Sequence, residues 1–103
     1  MQWYEYLAYF VAGAFSANGV PHFVHGISGQ RFQSPFASPP GIGKSSPLVN
    51  VLWGFGNFLA GAALLSWVGG LTLGLNSATL AFAIGALAAA VGLAWHFGRV
   101  RDS

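Results

Sequence analysis

Two stretches constrain this chain more than any other feature: residues 48–68, LVNVLWGFGNFLAGAALLSWV, and residues 78–97, ATLAFAIGALAAAVGLAWHF. Neither contains Asp, Glu, Lys or Arg. Each has the length of about 20 residues that a helix needs to cross the ~30 Å hydrocarbon core of a bilayer. A third stretch, about residues 3–25, is as long and nearly as apolar, with Glu5 close to its start. The pattern predicts an all-α integral membrane protein of one domain. It has three transmembrane helices and a long Pro/Ser/Gly-rich loop, residues 26–47, between the first and second.

Composition agrees. Hydrophobic residues make up 54% of the chain and charged residues 6%. A soluble domain carries roughly 25% charged residues because its surface must face water. Most of this surface is therefore expected to face lipid. The first apolar stretch is expected to stay attached, because its leading residues MQWYEY carry an acid where a cleaved signal wants positive charge. No cysteine is present, so disulfides and thiolate metal ligands are excluded. The four cations, Arg31, Lys44, Arg99 and Arg101, form no cluster able to follow a phosphate backbone, which argues against nucleic acid.

The same cations orient the chain. With three spans, the N-terminus and the short 69–77 connection share one side, and the long loop and C-terminus share the other. All four Lys and Arg fall on the second side. The positive-inside rule puts that side in the cytoplasm, in a plasma or inner membrane, with the N-terminus outside. Trp3, Tyr4, Tyr6 and Trp67 then mark the outer interface, and Trp53 and Trp95 the inner one. The short connection is expected to make helices two and three an antiparallel pair.

The loop reads as an extended polar connection without regular structure. Its GIGKSS resembles the end of a nucleotide-binding loop. The first glycine of that pattern is replaced by Ser38, and no strand or nearby acid accompanies it, so no nucleotide is expected. Phe32, Phe36 and Ile42 suggest that the loop folds back onto the helices or the membrane surface.

Small residues mark helix faces. In helix two, Asn50, Gly54, Asn57 and Gly61 recur at intervals of four, three and four and share one face. In helix three, Ala81, Gly85 and Gly92 lie along a stripe of small side chains. Such faces let membrane helices approach closely, and asparagines can bond across the contact. They serve either internal packing or docking against a second copy or a larger membrane complex.

The remaining lead is ANGVPHFVHG, residues 17–26. Pro21 removes a helical hydrogen bond and frees a carbonyl. His22 and His25 lie beyond it. In a three-span topology they reach the same depth as His96 and Asn50, at the cytoplasmic edge. Three imidazoles can ligate a metal ion or haem iron, or bind a small ligand. Against this stands the ordinary use of His as an interfacial residue bonded to backbone. Glu5, beside Trp3, Tyr4 and Tyr6, reads as an interfacial acid rather than a buried one. No acid–base or nucleophilic set is evident. A non-enzymatic accessory or self-associating component is therefore the leading expectation, and a histidine-based ligand site the alternative.

Overall fold

The computed structural model describes residues 1–101; Asp102 and Ser103, the end of the basic tail, lie outside the described residues. Three helices dominate: α1 (Trp3–Ile27), α2 (Pro47–Trp67) and α3 (Ser77–Arg101). A two-stranded antiparallel ladder, β1 (Phe32–Gln33) and β2 (Lys44–Ser45), lies between α1 and α2. Helices α2 and α3 are long and apolar enough to cross a membrane, with mean hydropathies of 1.6 and 1.9 over their most apolar windows.

Local chemistry sets the helix ends. Glu5 accepts the Gln2 backbone N–H at 3.2 Å, so its carboxylate caps the first turn of α1. Ser46 Oγ accepts Val49 N–H at 3.2 Å, and Pro47 occupies the first turn of α2. Gly69 and Gly70 take φ of 96° and 91°, and Gly70 N–H returns to Leu65 O at 2.6 Å, which closes α2. Asn76 Oδ1 accepts Thr79 N–H at 2.8 Å and opens α3. Helix α1 runs unbroken through Pro21 to Ile27.

Helix α1 is central. It packs along both α2 and α3, which scarcely meet each other. The short connection leaves α2 and α3 antiparallel, as expected, but they do not pack on each other. Glycines on α1 explain the difference, because they make α1 the helix that both others can approach. A Cβ on Gly19 would lie 2.8 Å from Gly54 O, and one on Gly26 2.7 Å from Pro47 O. On the other side Gly13 abuts the Phe82 carbonyl, and Gly85 abuts the Phe10 carbonyl. Tyr9 closes the far end by donating to Gly70 O at 2.6 Å.

The long connection is also more ordered than its composition suggests. Phe32 pairs with Ser45 and Gln33 with Lys44, and residues 34–43 close a hairpin. The hairpin folds back over the end where α1 finishes, α2 begins and α3 finishes. Phe32 is buried there, whereas Phe36 and Ile42 remain exposed.

Burial is inverted relative to a water-soluble bundle. His22, Gln33, Ser34, Asn50 and Asn57 are buried, while Leu48, Leu52, Phe55 and Leu59 on α2 and Leu80, Ile84, Leu87 and Val91 on α3 are exposed. The molecule measures 42 × 24 × 21 Å. Its long axis is close to the ~40–45 Å of a bilayer with its headgroup zones.

Candidate functional site

The polar end is organised by Asn50, whose relative exposure is 0%. It sits one turn into α2, four residues after Ser46. Its Nδ2 donates to Phe32 O (3.1 Å), Ser45 O (3.3 Å) and Ser46 O (3.1 Å). Its Oδ1 lies 2.9 Å from His22 Nδ1. An amide nitrogen turned toward three carbonyls leaves only the oxygen for His22, so Nδ1 of the neutral ring carries the hydrogen and donates. One side chain thus ties α1, the start of α2 and both strands.

The other histidines are held by backbone. His25 Nδ1 donates to Pro21 O at 2.8 Å, and the ring stacks on Phe32 with centroids 4.1 Å apart. His96 Nε2 donates to Gly41 O at 2.7 Å and pins the hairpin tip to α3. Phe32 is the hub: it meets His22 edge-on at 5.3 Å and Phe97 at 4.7 Å, and the Arg101 guanidinium lies 4.5 Å from its centroid. Arg101 also donates to Gln33 Oε1 at 2.9 Å.

The structure therefore brings His22, His25, His96 and Asn50 to one end of the molecule and joins only His22 and Asn50 directly. Among the described residues, no three of His, Cys, Asp or Glu are grouped to hold a metal ion. Glu5 lies at the opposite end of α1, where it caps the helix.

The packing residues divide. Gly54, Asn57 and Gly61 are buried with Asn50 against α1, and Asn57 Oδ1 accepts Asn18 Nδ2 at 2.9 Å. Gly85 is buried against α1 and Ala81 is half-buried. Gly92 packs on nothing: a Cβ there would meet no atom within 4 Å. Its share of the small-residue stripe lies past the point where α1 covers α3.

Two cavities meet at Asn18 and Trp53. One, of about 200 Å³, lies between the hairpin and the helix ends and is lined by Asn18, His22, Ser34, Trp53 and His96 among others. The second is an apolar groove of about 460 Å³ between α2 and α3, floored by Val11, Ala14 and Phe15 and walled by Gly92 and Leu93. It exists because α2 and α3 do not close on each other. With Nδ1 committed to Asn50, His22 Nε2 of the neutral ring is an acceptor without a protein partner among the described residues. The Trp53 indole Nε1 is buried and has no hydrogen-bond partner.

Sequence reasoning missed Phe32, Gln33 and Ser34 as site-forming residues and assigned Trp53 to the interface alone. Phe32 within a polar loop was the available signal, but a two-residue ladder is too short for periodicity to reveal. Comparison of the chain with protein families, with curated proteins and with solved structures finds no match.

Proposed function

We propose that this is a small integral membrane protein of a plasma or inner membrane whose three helices all span. Its N-terminus lies outside, and its hairpin and C-terminus lie in the cytoplasm. It acts as a non-enzymatic accessory component that associates with itself or with a larger membrane complex. The carrying observation is α3. It is long and apolar enough to cross a membrane, yet only Gly85 along its length is buried, and Ala88 and Gly92 are left uncovered on its small-residue stripe. Small uncovered residues permit close helix approach, which bulky lipid-facing residues do not.

The absence of native cysteine makes the test clean. Ala88→Cys, oxidised in native membranes, is expected to give a disulfide-linked dimer. A bifunctional thiol-to-amine reagent on the same variant would instead capture a different membrane protein. An unlinked monomer under both treatments, in a chain shown to be inserted, would overturn association through this face.

A second reading, a small-ligand site at the cytoplasmic edge, is supported by one observation. The Trp53 indole N–H is buried without a partner beside a cavity that His22 also lines. A buried donor without a partner costs free energy unless something occupies it.

A further inference from the structure

We infer that the polar cavity and the apolar groove form one site for a single-chain amphiphile with an uncharged, hydroxyl-bearing head. The inference rests on the ligand-site reading and names its ligand class. Continuity comes first. Asn18 and Trp53 line both spaces, so the two adjoin, and a head under the hairpin leads onto a chain laid along the groove between α2 and α3. Size is sufficient. A cavity of about 150 Å³ accommodates benzene. The head cavity, at about 200 Å³, exceeds that, and the groove, at about 460 Å³, is several times larger than a headgroup requires.

The lining residues differ in polarity, although Asn18 and Trp53 line both spaces and Asn57 also lines the groove. The groove is walled by Val11, Ala14, Phe15 and Leu93, which suit a hydrocarbon chain. The head cavity has Asn18, His22, Gln33, Ser34, Trp53 and His96 along its walls and no Asp, Glu, Lys or Arg. The nearest cation, Arg101, is engaged by Gln33 Oε1 and the face of Phe32. A charged head would be buried without a counter-charge, which is costly. A hydroxyl meets both vacant groups in kind: it donates to His22 Nε2 and accepts from the Trp53 indole N–H. A second helix could fill the groove, but it would leave the buried Trp53 indole N–H unanswered.

The test uses the full chain in phosphatidylcholine vesicles with three photoactivatable probes of matched chain length. Two carry hydroxyl heads, a monoacylglycerol and an isoprenoid alcohol, and the third is a fatty acid. Either hydroxyl probe is expected to label groove residues around Ala14 and Leu93 and to be displaced by its unlabelled parent. Their relative efficiency tells an acyl from an isoprenoid chain. Trp53→Phe keeps the ring and removes only the donor, so labelling is expected to fall about fivefold or more, the loss of one hydrogen bond. Gly92→Leu fills the groove at a position that packs on nothing and is expected to abolish labelling in a folded chain. Preferential labelling by the fatty acid would overturn the uncharged head and leave a ligand site standing. No saturable labelling by any probe would overturn both. Labelling unchanged in Trp53→Phe and Gly92→Leu would place the probe elsewhere and overturn this site alone.

Discussion

The two Nδ2 hydrogens of Asn50 are shared among three carbonyls and its Oδ1 accepts from His22, so its removal should cost more than any other single polar truncation in the bundle. In Asn50→Ala the Ser46 carbonyl still receives the Asn50 backbone N–H, and Phe32 O and Ser45 O keep their places in the β1–β2 ladder, but His22 Nδ1–H loses its partner. Leaving buried polar groups unpaired costs roughly 1–3 kcal/mol. Asn57→Ala breaks one interhelical bond, to Asn18, and such bonds average about 0.6 kcal/mol in membrane proteins. Unfolding in SDS–detergent mixtures should therefore show a loss of about 2 kcal/mol for Asn50→Ala and about 1 kcal/mol or less for Asn57→Ala. Equal losses would mean that the hairpin contacts contribute nothing. A cycle with His22→Ala isolates the pair, and the two losses should be sub-additive because they share one bond. The pairing of Asn50 with His22 was not legible in the sequence. Helical spacing assigns a depth and a face to each residue. Which of several polar groups at one depth meet depends on rotation about three helix axes and on the hairpin, and no local pattern encodes that.

At the level of elements, the three helices were legible because each is a long apolar run with recognisable caps: Ser46 before Pro47, Gly69 and Gly70 after Trp67, Asn76 before Ser77. Their neighbours were not. The stripe of Ala81, Gly85 and Gly92 has one spacing but two environments. Gly85 lies against the Phe10 carbonyl, and Gly92 faces open space. The reason is geometric: α1 crosses α3 near Gly13 and leaves its stripe farther along. Substitution should separate the two positions. Gly85→Leu puts a side chain where backbone already stands, so α3 must move away from α1. Gly92→Leu has room. In detergent, Gly85→Leu should unfold or aggregate well below the wild-type temperature, and Gly92→Leu should stay within a few degrees of it. Gly61→Leu should resemble Gly85→Leu in direction and be milder, because a Cβ there lies 3.0 Å from Ala12 O and from Ser16 Oγ, and the Ser16 side chain can turn. If Gly92→Leu were as damaging as Gly85→Leu, the α2–α3 groove would be closed in the folded protein.

For the molecule as a whole, the distribution of polarity decides which solvent it suits. Asn50, Asn57, His22 and Gln33 lie inside, and most of the large leucine and isoleucine side chains of α2 and α3 lie outside. In water the hydrophobic effect would oppose that arrangement. In lipid it is favourable, because buried polar groups find one another and apolar side chains face hydrocarbon. The same reasoning bears on α1, which lacks the uninterrupted apolar window that α2 and α3 each have. Its polar residues Asn18, His22 and His25 face α2 and the hairpin rather than lipid, so α1 needs less hydropathy than a lone span to cross. With 25 residues it reaches about 37 Å, at ~1.5 Å per residue, enough for the hydrocarbon core. If α1 crosses, the hairpin and the end of α3 share a compartment with Arg31, Lys44, Arg99 and Arg101, and the positive-inside rule makes it the cytoplasm. Paired reporters, one active only in the cytoplasm and one only outside, should then read inside at Lys44, outside at Gly70 and inside after Arg101. A reporter placed before Trp3 should read outside. If α1 instead lay along the surface with α2 and α3 spanning, the reporter before Trp3 would read inside with the others unchanged. That single reversal would remove the three-span topology. It would also expose the buried His22–Asn50 layer to a different solvent from the one its inverted burial fits.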